Sequence, residues 1–532
     1  MKHIKSRKLS FLTMRIAICT VLTLLLALSL LGCESQAPAA SQGLEFTSNG
    51  DGTCYLSGIG TCEDVHVVVP THSPAGDKVV AIGTYAYEED PCTGSVNGDS
   101  VFKDWECLLS IVIPDTVTEI GDFAFEYCKK LRRVEIGDGV TTIGNEAFSN
   151  CSALAEVVFG SSVQSIGNAA FETCHALRSL EFPNSLSSIG ESAFFYCISL
   201  NSVTVESDAL EVGRNAFRHC YRLAEIINRG TLPLQIGSED YGCMAAYAVE
   251  IHDGKKSNLQ EEDDCLVYSS GTKNVLVQYY GTGTELTLPE VCDGKPYEIG
   301  CGLFFQNEEL TSVIIPEGVT KIGESAFDKC EALRSVTLPS SLVEIGDSAF
   351  HSTELTEITL PQGLQSIGEG AFSLTKLTRI EIPEGVTEIG EYAFHRCWQL
   401  AEVTLPQSLQ KLGEGAIGYN ESLTSIRLPE NLTAIAENTF SICSSLVEVY
   451  IPASVVSIDK EAFHGCEALT RVYFADPSGW QAVTVVYDEN GKEIELTNGN
   501  PNSILLNEET LSNAESAAQC VRDLETWKLV KK

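Results

Sequence analysis

Between Leu108 and Lys130 the chain reads LLSIVIPDTVTEIGDFAFEYCKK, and the same spacing of apolar positions returns every 23 residues from Leu131, Leu154, Leu177, Leu200 and, in part, Leu223. It resumes at Leu310 and Leu333, shortens to 22 residues before Leu355 and Leu377, and continues from Leu400, Leu423, Leu446 and Leu469. The unit is L-x-x-V-x-I-P-x-x-V/L-x-x-I-G-x-x-A-F-x-x-C-x-x. Its opening alternates, so the Val and the last Ile share one face of a short strand. The Pro that follows has no N–H for a ladder and ends that strand. The repeated Gly121, Gly144, Gly167 and Gly190 predict a backbone angle that a side chain resists. In A-F-x-x-C-x-x-L the apolar residues fall at i, i+1, i+4 and i+7, which predicts one helical or 3-10 turn.

One such unit has no second layer to cover its apolar side chains. A fixed period of this length marks a solenoid, in which each rung is covered by the next. Stacking puts Phe125, Phe148, Phe171, Phe194 and Phe217 in one column, continued by Phe327, Phe350, Phe372, Phe394, Phe440 and Phe463, with Ile417 substituting once. Burial of each ring is worth roughly 1.5–3 kcal/mol.

The repeat, in most rungs between residues 44 and 475, resembles the BspA-like class of leucine-rich repeats of bacterial surface proteins. The resemblance implies an α/β leucine-rich-repeat solenoid, strand-rich, stacked in a right-handed curve with a parallel sheet on the concave face and short helical or 3-10 turns opposite. It implies no chemistry, since members are mostly described as adhesins or have no assigned role.

The repeat also divides the chain. Residues 44–107 read as an N-terminal cap, 108–229 as a first array, 230–309 as an interruption with a hairpin and a partial repeat, 310–475 as a second array and 476–532 as a C-terminal cap. In the interruption, 238–249 predicts a short helix and 255–264 a polar loop. CLVYSS and VLVQYYG, separated by GTKN, predict two strands. Two sub-arrays of one rod follow from this reading. In the C-terminal cap 513–529 predicts a helix.

Residues 1–32 carry five basic and no acidic residues, then an apolar run from Ile16 to Leu31. Sixteen residues are short for a membrane span and ordinary for a secretory leader. The run ends Leu30-Leu31-Gly32-Cys33, which resembles the bacterial lipobox and implies acylation of Cys33. Residues 33–43 then read as a lipidated Cys and flexible tether, and lipid is the expected membrane attachment. Beyond the leader, 30 basic residues face 73 acidic ones. That excess favours solubility and disfavours nucleic acid and anionic membrane as partners.

Twenty cysteines invite a disulfide reading, but Cys128, Cys151, Cys174, Cys197, Cys220, Cys330, Cys397, Cys443 and Cys466 occupy one slot per rung. That pattern predicts a buried ladder of small hydrophobic residues; Thr353 and Ser373-Leu374 stand near the same slot. Outside it, Cys54 with Cys62 and Cys92 with Cys107 are candidates for short-loop bridges. His175, His219, His395 and His464 lie within two residues of a ladder Cys but form no closed metal set, so surface loops are expected for them. No nucleophile elbow, zincin, P-loop or EF-hand spacing occurs, and no catalytic residue, metal or cofactor is expected.

There remains the outward face of the strands, from Ser110/Val112 to Glu225/Ile227 in the first array and from Ser312/Ile314 to Arg471/Tyr473 in the second. Most positions are Ser, Thr or Glu, whereas the last rungs bring Arg427, Tyr450, Arg471 and Tyr473, residue types enriched at binding hot spots. The reading is a lipid-anchored, non-enzymatic cell-surface binding or adhesion module. Its ligand would be a protein or glycan, from host extracellular matrix or another bacterial surface component. The alternative is a carbohydrate- or peptide-degrading surface enzyme with acidic residues in a cleft near 228–300.

Overall fold

The computed structural model of the chain describes residues 39–83, 102, 105, 107–254, 256–262, 264–271, 273–478, 480–487, 493–496, 511–522 and 527–531. The leader, Cys33, most of the tether and Cys92 lie outside the described residues. The rest is a strand-rich solenoid of about 17 turns with very little helix.

Three hydrogen-bonded ladders run along it. The L-x-x-V-x-I segments form a front sheet of short strands: Ser110–Ile113, Arg133–Ile136 and Glu156–Val158 pair in parallel with Ser110, Arg133 and Glu156 in register. The I-G segments form a side ladder of two-residue strands, Glu119–Ile120, Thr142–Ile143, Ser165–Ile166 and Ser188–Ile189, again parallel. The third ladder corrects an expectation. A-F-x-x-C is not helical, because non-glycine residues at fixed places take left-handed backbone: Phe123 and Tyr127 at φ 58° and 60°, Glu146 and Asn150 at 51° and 60°. Such residues cost about 1–2 kcal/mol each and break the i→i−4 pattern. They turn N–H groups along the rod instead, so Phe125 donates to the Ala147 carbonyl (2.7 Å) and Tyr127 to that of Ser149 (2.9 Å).

The repeated glycines Gly121, Gly144, Gly167 and Gly190 do not take left-handed backbone. Gly144 is absent from the left-handed set, but a Cβ there would lie 2.6 Å from the Asp122 nitrogen and the Gly121 carbonyl carbon. The repeated Gly is needed for close approach of neighbouring rungs, not for its own angle.

The predicted Phe column is present. Successive rings from Phe125 to Phe217 stack at 4.9–5.2 Å, and Phe102 extends the column at 4.7 Å. In the second array Phe304, Phe327, Phe350, Phe372 and Phe394 repeat it at 5.2–5.4 Å. Ile417 separates these from the Phe440–Phe463 pair, 5.3 Å apart. The buried apolar side chains form one large cluster from Leu44 to Ala248 and another from Cys265 to Leu529, with a small cluster around Tyr268 between them.

In the interruption, the helix shrinks to Asp240–Cys243, kinked by Tyr241 and Gly242 at positive φ. The hairpin Cys265–Ser270/Lys273–Tyr279 forms as expected. The expected polar loop contains a strand, Leu259–Glu262, which pairs with it. Lys273–Tyr279 then pairs in parallel with Glu298–Ile299 and so starts the side ladder of the second array. At the C-terminal end the helix covers Ala514–Arg522, with Asn513 Oδ1 accepting from the N–H groups of Glu515 and Ser516 as an N-cap. Trp527–Lys531 is a strand rather than helix and joins the side ladder at Ser457–Ile458.

Candidate functional site

On the front sheet Arg427, Tyr450 and Tyr473 stand in register on three adjacent strands. The Arg427 guanidinium lies 5.3 Å from the Tyr450 ring centroid, a cation–π arrangement that orders both side chains. Tyr473 is 42% exposed. Arg471 lies two residues before Tyr473 but is turned to Glu448, its partner on the neighbouring strand, at 2.9 Å. The structure thus brings three of the four residues into one column and ties the fourth to a carboxylate. A few rungs earlier the front strand expected at 357–359 is not formed. Its place is a depression of about 340 Å³ walled by Glu357, Arg379, Glu381 and Glu402.

The front face of the first array is less open than its sequence predicts. Thr204, Glu225 and Ile227, all at outward positions, are buried. The interruption lays strand Glu250–His252 beside Glu225–Asn228. Residues from this segment then cover Glu225, whose carboxylate accepts from His252 Nε2 (3.0 Å), Ser257 Oγ (2.5 Å) and the Asn258 N–H (2.6 Å).

Where the arrays meet, the structure opens a cavity of about 450 Å³. One wall comes from Tyr221, Arg222 and 246–249, another from the hairpin at Lys273, Val275 and Val277, and the third from the side ladder at 298–301, Lys321, Glu324, Glu344 and Asp347. Arg222 braces the joint, donating from Nε to the Gly302 carbonyl (3.1 Å) and from Nη2 to that of Leu303 (3.0 Å). Tyr221 packs on Phe305 (4.8 Å) and Tyr247 (5.0 Å), and its hydroxyl meets His219 Nδ1 at 2.7 Å. Burial, with Asp347, Glu369 and Asp328 adding to it, raises the Glu324 carboxyl to about 7. The lapse of the repeat marked this neighbourhood, but not its lining, which comes from segments spread along the chain from Tyr221 to Asp347.

A model of the "BspA type Leucine rich repeat region (6 copies)" matches residues 97–224, 297–418 and 366–481. The chain belongs to this family. No curated protein matches it. Among solved structures, a leucine rich cell surface protein from Faecalibacterium prausnitzii is 24% identical, with 83% of this chain and 96% of that one covered, at a TM-score of 0.31. A leucine-rich repeat protein from Bacteroides ovatus is 23% identical over 82% and 94%, at 0.37. The pneumococcal vaccine antigen PcpA is 17% identical over 82% and 93%, at 0.31.

Within this BspA-type rod the slot cysteines are buried, and each thiol donates to the carbonyl of the Phe-column residue in the preceding rung, as from Cys151 to Phe125 O (3.1 Å) and from Cys197 to Phe171 O (3.3 Å), with Cys443 donating to Ile417 O (3.3 Å) where Ile replaces Phe. The slot is therefore a weak donor site as well as an apolar one. In the 22-residue rungs it is filled by Thr353 and by Thr375, rather than by Ser373-Leu374, and each hydroxyl bonds the Phe carbonyl of its own rung. Burial pushes the Cys397 thiol to about 11 and that of Cys466 to about 12, which leaves them unreactive. Cys54 and Cys62 are both buried and unbridged, with the Cys54 thiol 3.5 Å from the Asp77 carbonyl instead; Cys107 is exposed. His464 is exposed as expected, but His175, His219 and His395 are half-buried. His395 is packed against Tyr392 and Tyr419, and burial lowers it to about 4. Among the described residues no His, Cys, Asp or Glu group of three is placed to hold a metal, and no helix is long and apolar enough to cross a membrane.

Proposed function

We propose that this protein is an exported, non-enzymatic binding or adhesion module. On this reading it is held by lipid on Cys33 at the outer side of the bacterial cytoplasmic membrane or at the cell surface. It follows the right-handed curve its family implies, with the front strands inside, and takes a protein or glycan ligand on that face. The observation that carries the reading is the Arg427–Tyr450–Tyr473 column: two aromatic rings and a guanidinium pre-ordered on rigid neighbouring strands, where little side-chain entropy remains to be lost on binding.

The test is binding of the full chain to immobilised extracellular-matrix proteins and to acidic and neutral glycans. Tyr450→Ala with Tyr473→Ala should weaken the interaction at least ~10-fold while leaving thermal unfolding almost unchanged. Equal binding by the double variant would move the contact surface elsewhere. Cys33→Ala should release the protein from the membrane fraction, and a mature terminus found away from Cys33 would remove the anchor from the proposal. The enzymatic alternative finds a cleft, but Glu324 and Asp347 hold equivalent places on adjacent rungs of one wall. They do not face each other across a substrate, and no observation favours that reading.

A further inference from the structure

The junction cavity holds two opposite charges that the protein leaves unmatched. Arg222 gives Nε and Nη2 to main-chain carbonyls, and among the described residues no carboxylate forms an ion pair with it. Burial holds its guanidinium at about 10. On the wall formed by the side ladder, the Glu324 carboxylate has no hydrogen-bond or ion-pair partner among the described residues. The other charges on these walls are either ion-paired or, like Lys273 and Asp347, exposed to solvent. Lys321 pairs with Glu344 at 2.8 Å, Lys273 Nζ donates to the Val249 carbonyl at 2.6 Å, and Asp347 accepts from the Glu369 N–H at 2.7 Å. Glu298 is exposed to solvent.

A charge enclosed without a counter-charge is costly, and the cost is relieved when a ligand supplies the missing one. Here a cation and an anion line one cavity and form no ion pair with each other, and Tyr221, Tyr247, Val275 and Val277 share its walls with them. We propose that this cavity binds a small zwitterion with an apolar body, a free amino acid or a dipeptide, its carboxylate against Arg222 and its ammonium against Glu324. Its volume falls in the range of small-molecule sites, ~300–1,000 Å³. Single-charge ligands satisfy one pole and leave the other enclosed, so the site discriminates by requiring both. This cavity lies apart from the front-face column, and the two assignments stand or fall separately.

The experiment is calorimetric titration of the full chain with L-leucine and with glycyl-L-leucine, using 3-methylbutylamine and 4-methylpentanoate as the matching single-charge probes. At least one zwitterion should bind at least ~10-fold more tightly than either single-charge probe, and the stronger of the two identifies amino acid or dipeptide as the ligand. Glu324→Gln should remove that preference while leaving the unfolding transition cooperative. This variant is the primary one because Arg222 also braces the joint. Binding to the unaltered chain should weaken from about pH 8 to about pH 6 as Glu324 takes up a proton among Asp347, Glu369, Asp328, Cys301, Tyr221 and Tyr247, and Glu324→Gln should lose that dependence. Three results would overturn the proposal: no heat from either zwitterion at about 10 mM, equal binding of the amine or of the carboxylate alone, or unchanged zwitterion binding by Glu324→Gln.

Discussion

The regular rungs and the junction between the arrays bury comparable side chains by different means. In a regular rung each contact is a copy: Phe148 stacks on Phe125 as Phe171 stacks on Phe148, and the Asp122 carboxylate takes the Asn145 N–H as Asn145 Oδ1 takes that of Asn168. One satisfied geometry is carried along the axis, and a charge covered there finds its partner one rung on, as Asp328 finds His351 Nδ1 at 2.7 Å. At the junction there is no next copy. Glu225 occupies the position of the exposed Glu156, yet it is fully covered and needs His252, Ser257 and Asn258 to satisfy it. Arg222 is held there by main-chain carbonyls alone, without a carboxylate, and the Glu324 side chain has no hydrogen-bond partner among the described residues. Translation along the rod makes a stable surface with little chemistry, and its interruption leaves the polar groups from which a selective site can be built.

Six substitutions separate these two regimes. Phe194→Ala should have the largest effect, a loss of ~3–5 kcal/mol in denaturant unfolding, because rings on both sides lose a partner and the rung cannot collapse. A loss under about 1 kcal/mol would mean that rungs are not coupled through the column. Next, Glu225→Ala should cost about 3 kcal/mol by stranding three donors in the covered strand, whereas Glu156→Ala at the equivalent open position should stay within ~0.5 kcal/mol. Equal effects would abolish the distinction between junction and rung.

Glu324→Gln should act through pH. The folded-state carboxyl is raised from 4.5 to about 7, so the folded chain holds this proton more tightly and loses stability as pH rises through that window. The variant should therefore gain on the unaltered chain from pH 4.5 to 7 in thermal scans, and parallel profiles would place Glu324 in solvent. Smallest of all, Cys197→Ser should cost less than about 1 kcal/mol, since a hydroxyl keeps the donor to the Phe171 carbonyl. Cys197→Val, which removes that donor and adds bulk to a filled slot, should cost more; the reverse order would make the slot purely apolar.

How far the sequence reached depended on whether a feature repeats. The period, the strands, the Phe column and the buried Cys slot follow from one unit read many times, because in a stack each residue's neighbours are the equivalent residues one period away. The positions of Arg427, Tyr450 and Tyr473 in one column followed for the same reason. The turn ladder did not, since apolar spacing at i, i+1, i+4 and i+7 suits a helix equally well. Only the backbone shows Phe123 and Tyr127 in the left-handed region. The glycines were found for the wrong cause, as crowding between rungs is invisible in a single rung.

The sequence alone, then, determined the repeating architecture and the order of its side chains along the rod, because nearest-neighbour stacking turns spacing into contact. Tertiary structure alone decided the covering of Glu225 by the 250–258 region and the joining of Arg222, Tyr221 and Glu324 around one cavity. Those contacts link residues with no common period, through a segment whose path over the rod is set by packing rather than by any pattern it carries.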